Sequence, residues 1–193
     1  MVNVGIKNGF WETVSKELNP IQMRILVLML SQQKEFKIHQ TVIAAKLNTS
    51  AVVCSREMKK LKELGYVNPP VHPKDENDGW RLQRKATIWR AEAGAAAGYQ
   101  LYDVDFICNP QINNYEWLIE SFVRAYRNIE GVLKNTKFLS EKLHMDARTI
   151  RKHTSAIEGR IAQEEKEEEP VFIQYSPALG IRSAEMLENG FYF

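Results

Sequence analysis

The sequence predicts a mainly α-helical chain with small β wings, an α+β fold in which a three-helix unit occurs twice in tandem. Three observations predict it. A capped, almost wholly apolar segment, "NPIQMRILVLML", begins at Asn19. The stretch "KLNTSAVVCSREMKKL" at Lys46–Leu61 has a look-alike, "KLHMDARTIRKH", 96 positions later at Lys142–His153. The first of these two stretches is followed by a proline-broken excursion between segments of strand-like composition. A chain of 193 residues admits two domains of about 80 to 100 residues each. We expect them at 1–92 and 113–193, joined by a connecting strand and linker over 93–112.

An aromatic lead-in with Phe10 and Trp11 precedes the first helix. Asn19 is placed to cap that helix, and Pro20 takes its first position, where a missing N–H costs nothing. Ile21, Ile25 and Leu28, with Leu26, Val27, Met29 and Leu30, cover most of the circumference, so the helix should be the buried centre of the first unit. A second helix from Ile38 to Lys46 is expected to turn Val42, Ile43 and Leu47 inward. At "LNTS", Asn48 turns the chain and Ser50 caps a third helix whose inner stripe is Cys54, Met58 and Leu61. Gly65 stops it. Prolines 69, 70 and 73 and the polar tip "KDENDG" make a loop. Beyond it, "WRLQRKATIWRAE" has the β-branched and aromatic content of strands flanking the loop: a wing.

"AGAAAG" at Ala93–Gly98 reads as a turn or hairpin. As a phosphate-binding glycine loop it lacks a preceding strand-to-helix context and a suitably placed basic residue. "YQLYDVDFI" alternates Leu101, Val104 and Phe106 and suggests a strand. The second unit starts near Asn113, which with Glu116 resembles a capping box, and Leu118, Phe122, Ala125 and Ile129 mark one helix face. A short helix at Thr136–Leu143, the turn "HMD", and a long helix capped by Asp146 and buried through Ile150 and Ile157 follow. "PVFIQYSP", Pro170–Pro177, reads as a strand closing a reduced wing; the final "LENGFYF" has no definite placement.

A shift of 96 pairs Leu47 with Leu143, Ser50 with Asp146, Ala51 with Ala147, Cys54 with Ile150 and Leu61 with Ile157. These are the turn-packing leucine, the cap, the small residue beside it and two inward positions. The outward pairs, Val52 with Arg148, Ser55 with Arg151 and Arg56 with Lys152, differ. A scaffold that repeats under a diverging surface suits two helices of one geometry presented to different targets.

The net charge of +2 conceals a segregated distribution. Lys46–Arg90 carries ten Lys and Arg against five Asp and Glu, and Lys134–Arg160 carries seven against three, whereas "EEKEEE" at Glu164–Glu169 has five Glu against one Lys. Both look-alike stretches fall in basic zones, which points to a polyanionic partner. The acidic run reads as a solvated helix end; the alternative is that it repels nearby DNA or attracts a basic partner.

At this point "IAAKLNTSAVVCSREMKKLKELGYV" resembles the winged helix-turn-helix superfamily: a short helix, a turn, a recognition helix ending in "GY", then a wing. The resemblance covers Asn19–Glu92, and the second copy, Asn113–Tyr175, keeps the three helices with a weaker wing. The tandem is similar to the replication initiators of bacterial plasmids and phages, which implies binding to repeated double-stranded DNA sites without catalysis. Transcription regulators and plasmid-transfer accessory proteins share these features. A winged-helix protein-interaction adaptor is the alternative of a different class. A homodimer and the replication or transcription machinery are further partners this reading admits.

A major groove about 12 Å wide admits one helix, whose N-terminal outward residues reach base edges. In the first copy these are Ser50, Ala51, Val52, Ser55 and Arg56, with Lys59 and Lys60 one turn on. Ala51 and Val52 suit thymine methyls, and Arg56 suits guanine. In the second copy Ala147 opens the helix, Arg148 and Arg151 are expected to read bases, and Thr149 and Lys152 to meet phosphate. Arg81, Arg84 and Lys85 near the wing should grip backbone or enter the minor groove.

Other classes find less in the chain. His39, His72, His144 and His153 show no metal-type pairing, no cofactor motif occurs, and no Walker loop, nucleophile elbow or nicking-type histidine pair is present. Tyr99, Tyr102 and Tyr126 read as core or strand aromatics, and the expectation is a binding protein, not an enzyme. The two cysteines, Cys54 and Cys108, form no paired framework, the N-terminus lacks a basic region feeding an apolar stretch, and the longest apolar run, Ile25–Leu30, is far too short to span a bilayer. A cytoplasmic location without membrane attachment is therefore expected.

Overall fold

A computed structural model describes residues 3–32, 37–72, 75, 78–91, 98–126 and 129–167. In chain order the elements are β1 (Asn3–Lys7), α1 (Gly9–Val14), α2 (Pro20–Leu30), α3 (Gln40–Lys46), α4 (Ala51–Glu63), β2 (Val67–Asn68), β3 (Arg81–Leu82) and α5 (Arg84–Thr87). They continue with β4 (Tyr99–Asp103), α6 (Val104–Cys108), α7 (Asn114–Val123), α8 (Ile129–Lys134), α9 (Thr136–Leu143) and α10 (Ala147–Glu167). The fold is mainly helical, with two small two-stranded antiparallel sheets. The chain divides into two compact units, Met1–Gly159 and Arg160–Phe193.

Two central helices organise the first unit. Asn19 Oδ1 accepts from the Gln22 N–H at 3.0 Å and Gln22 Oε1 accepts from the Asn19 N–H at 3.0 Å, a reciprocal capping box that starts α2 with Pro20 in its first turn. Every side chain from Gln22 to Leu30 is buried. In α7, Trp117 to Val123 are buried in the same way, and α2 and α7 pack against each other. A long apolar run on both helices is what two elements need when neighbours surround each of them.

Trp11 of α1 extends this core. It meets Trp117 edge-on at 5.7 Å and Tyr102 at 5.4 Å between ring centroids. Arg24, though inside the apolar run of α2, is only 3 % exposed. Its guanidinium donates to the carbonyls of Ile107 (2.7 Å), Asn109 (2.7 Å) and Ile112 (2.8 Å) and to the Asn114 side chain (3.1 Å). One buried cation thus satisfies the loop that leads into α7.

The turns between α3 and α4 and between α9 and α10 share their backbone geometry. Asn48 has φ +46° and His144 has φ +51°, the two non-glycine residues in the left-handed region among those described, and they lie 96 positions apart. The Thr49 N–H donates to Ala44 O at 2.9 Å, and 96 positions later the Met145 N–H donates to Ser140 O at 3.3 Å. Asn tolerates this conformation because its side chain stabilises it locally; His adopts it at a cost of about 1 to 2 kcal/mol. Gly65, at φ +76°, ends α4.

Several expected elements are placed differently. The second helix begins at Gln40 because Ile38 is tied into an antiparallel bridge with Trp80. Val42 is 41 % exposed, and Ala44 joins Ile43 and Leu47 inside in its place. Within "WRLQRKATIWRAE" only Arg81–Leu82 is a strand, paired with Val67–Asn68; Arg84–Thr87 forms α5, and Arg90 bridges to Ile6. A helix here lets Ala86 pack inward while Arg84 and Lys85 remain outside.

"YQLYDVDFI" is a strand only as far as Asp103, whose side chain accepts from the Asp105 N–H and starts α6. The inward residue is Tyr102, and Leu101 is 53 % exposed. That strand pairs with β1, from Asn3↔Asp103 to Lys7↔Tyr99, a partner the sequence reading left without an element. The second central helix ends at Val123, so Ala125 lies beyond it and Ile129 opens α8. The expected strand at Pro170–Pro177 and the segment "LENGFYF" lie outside the described residues, as does "AGAAAG" up to Ala97. No helix among the described residues is long and apolar enough to cross a membrane.

Candidate functional site

The two outer helices, α4 and α10, carry most of the candidate residues, and each is set in place by a cap and an inner stripe. Ser50 Oγ accepts from the Val53 N–H at 3.2 Å. Asp146 Oδ1 accepts from the N–H groups of Arg148 (2.8 Å) and Thr149 (3.3 Å). Cys54, Met58 and Leu61 bury one side of α4, and Ile150 and Ile157 bury one side of α10. Burial raises the Cys54 thiol to about 11, so it acts as a small apolar core group.

These inner stripes leave the candidate residues outside. On α4, Ala51, Val52, Arg56, Lys59 and Lys60 are exposed and Ser55 is half-buried; Val52, at 79 %, is among the most exposed large apolar side chains. Ala51, Val52, Ser55, Arg56 and Lys59 line one shallow outward concavity. On α10, Arg148, Arg151 and Lys152 are exposed and Ala147 and Thr149 half-buried. The structure therefore gathers seven candidates on one helix, counting Ser50, and five on the other.

The cations on the two helices differ electrostatically. Arg56 Nε donates to Glu57 Oε1 at 2.7 Å, and Lys60 Nζ lies 3.8 Å from Glu57 Oε2. Glu57 is itself 1 % exposed and accepts at Oε2 from Gln22 Nε2 (2.8 Å) and Asn19 Nδ2 (3.2 Å). Burial raises its carboxyl, but hydrogen bonds from Arg56, Asn19 and Gln22 and the charge of Lys60 outweigh burial and hold it below the ordinary carboxylate range. By contrast, Arg148, Arg151 and Lys152 form no ion pair among the described residues.

Near the wing, Arg81 is ion-paired with the buried Asp78, which also accepts from the His72 N–H at 2.8 Å. Lys85 Nζ is 2.6 Å from Glu17 and 4.3 Å from the centre of the Tyr66 ring. The Lys85 hydrogen bond is the largest influence holding Glu17 below its usual value. Arg84 is exposed with its side chain in no ion pair among the described residues. Arg81 and Lys85 thus brace the scaffold, and Arg84 is the member of that trio in no ion pair among the described residues.

Sequence reasoning missed Glu57 and Arg24. A Glu inside "SREMKKLKE" reads as a solvated charge, and its partners lie 35 and 38 positions upstream. Arg24 had a signal, a lone cation inside "QMRILVLML", which demands several acceptors wherever that segment is buried. The residue corresponding to Glu57 at the 96-residue spacing is His153. Its Nδ1 lies 3.1 Å from Glu116 Oε1 and 3.4 Å from Asn113 Nδ2, and its ring stacks on Tyr115 at 5.7 Å. No cluster of His, Cys, Asp or Glu suited to a metal ion occurs among the described residues. No protein-family model matches this chain, and neither a curated protein nor a solved structure does so.

Proposed function

We propose that the chain is a sequence-specific double-stranded DNA-binding protein built from two winged helix-turn-helix units, with α4 and α10 as its recognition helices. It serves as a replication initiator or transcription regulator of the plasmid or phage type and acts by binding, without catalysis. One observation carries the reading. Two helix–turn–helix segments, with left-handed turn residues 96 positions apart, each hold an exposed, capped helix with basic side chains on its outer face. A short antiparallel hairpin, β2 with β3, follows the first.

The supporting physics is that of groove binding. A capped helix N-terminus brings backbone N–H groups and outward side chains toward phosphate and base edges together. Arg148 and Arg151 are placed to read bases, Lys59, Lys60, Arg84 and Lys152 to neutralise phosphates, and Ala51 and Val52 to meet thymine methyls. Salt titration of duplex binding tests this. With roughly four phosphates neutralised, log Kobs should fall against log salt with a slope of about −4. A slope near zero, or no duplex binding at low salt, refutes the proposal.

A second reading has its own observation. Val52 is 79 % exposed and the neighbouring Arg56 is already ion-paired, a combination that suits protein docking by the first copy. On that reading Val52→Asp abolishes a protein complex and leaves the salt dependence of DNA binding to α10 alone.

A further inference from the structure

We propose that Glu57 is a positioning residue for base readout: its buried carboxylate holds Arg56 so that the terminal guanidinium nitrogens form a planar fork for a guanine in the major groove. This rests on the reading that α4 enters DNA. The two oxygens of Glu57 do different work. Oε2 accepts from Gln22 Nε2 at 2.8 Å and Asn19 Nδ2 at 3.2 Å, which pins α4 to the first turn of α2. Oε1 accepts from Arg56 Nε at 2.7 Å, a bond within α4 that does not reach α2. Pinning alone would be served by a neutral amide.

The geometry suits a presented fork. The Arg56 side chain stays 63 % exposed and lines the outward concavity of α4 with Ala51, Val52, Ser55 and Lys59. Its Nε is occupied by Glu57, which leaves the two Nη nitrogens as the pair that can donate to guanine O6 and N7. A free arginine loses rotamer freedom on binding, and an arginine already held by a carboxylate loses less. The carboxylate is 1 % exposed, so its charge is kept from direct contact with phosphate. At the corresponding positions of the other segment stand Lys152, which has no fork, and His153, so the device belongs to α4.

The test starts from duplexes selected by the native chain out of a randomised library, with each guanine replaced in turn by 7-deazaguanine, which lacks the N7 acceptor. The native chain should lose about tenfold in affinity at one guanine. Glu57→Gln should lose less than about twofold at that guanine, while its affinity for unselected duplex rises about two- to fivefold because a negative charge is gone. A purely structural role for Glu57 would instead weaken selected and unselected duplexes by one common factor, and that result overturns the proposal. So does an undiminished penalty in Glu57→Gln. Should that variant fail to fold, Arg56→Lys keeps the charge and leaves the buried carboxylate in place. It should lose the guanine sensitivity, and retained sensitivity overturns the proposal. Duplex binding by the native chain without any sensitive guanine removes the fork alone; no duplex binding removes the DNA reading with it.

Discussion

Replacing Arg24 by Met should cost about 0 to 6 kcal/mol of folding stability. Met preserves much of the side-chain stem but none of the donors. The carbonyls of Ile107, Asn109 and Ile112 then lose a partner at 2.7 to 2.8 Å, and the Asn114 side chain loses one at 3.1 Å. An orphaned carbonyl costs about 1 to 3 kcal/mol, so three amount to roughly 3 to 9. Against this, burial pushes the guanidinium down to about 10, a cost on the order of 3 kcal/mol that the substitution removes. The lower half of the resulting range applies if the Asn109 carbonyl, which is less deeply placed, recovers water. Urea unfolding measures the change as a lower midpoint at constant slope. Arg24→Lys, with one donor centre instead of a fork, should fall between Met and the native residue. A net gain of stability in Arg24→Met would refute the reasoning, because it would mean that the connector into α7 satisfies its carbonyls without the cation.

Three further outcomes follow from other parts of the molecule. In Gly79→Ala the new Cβ would stand 2.8 Å from the Ile38 carbonyl carbon and 2.9 Å from its oxygen, both backbone atoms, so the Ile38–Trp80 bridge should open and thermal unfolding should show a loss of about 1 to 3 kcal/mol. The Glu57 carboxyl is held below its ordinary value of 4.5. Its contribution to stability is therefore complete above that value and lost as pH falls through the lower folded-state value; Glu57→Gln should flatten this acid limb in a pH series of urea midpoints. Lys152→Ala and Arg84→Ala should each reduce the salt slope of duplex binding by about 1, whereas Arg81→Ala, whose charge is already matched by Asp78, should change it less.

The parts of this molecule legible in the sequence are those decided within a few residues. Asn19 and Pro20 announce α2, Ser50 and Asp146 announce α4 and α10, and Gly65 ends α4, because caps and left-handed turns are local chemistry. Cys54, Met58 and Leu61 fell on one side because helical periodicity carries that information. What was illegible depends on distant partners. Val42 lies outside although it is apolar, because the covering of α3 is set by α4 and not by the spacing within α3. The alternation of Leu101, Val104 and Phe106 does not run on as one strand because Asp103 caps a helix there, and that change of period puts Val104 and Phe106 in α6. Among the candidate site residues, exposure of Arg148, Arg151 and Lys152 was foreseeable from the stripe on the opposite side. The engagement of Arg56 and Lys85 with carboxylates was not, since Glu17 is 68 positions from Lys85 and Glu57 is buried only through α2, whereas Arg81 pairs locally with Asp78 three residues before it.

Each outer helix is joined to a central helix by a contact at the same repeat position, and its chemistry differs between the two segments. In the first, Asn19 and Gln22, the cap and third residue of α2, donate amide N–H groups to the carboxylate of Glu57 in α4. In the second, Asn113 and Glu116, the cap and third residue of α7, meet the imidazole of His153 in α10. Glu57 and His153 are 96 positions apart and the caps 94, so the extra two residues fall between the central and outer helices. A carboxylate facing Glu116 would bring two anions together, and an imidazole facing Gln22 would forfeit the charge-assisted bond to Arg56. Each pair is therefore matched within its own segment and mismatched across segments. The position is constrained because it joins the first turn of a buried helix to the middle of an exposed one, and that joint determines which side chains of the exposed helix face outward. Its chemistry is free to vary provided both sides vary together. This is why α4 and α10 can share a backbone frame while α4 presents a braced arginine beside exposed valine and α10 presents Arg148, Arg151 and Lys152, which form no ion pair among the described residues.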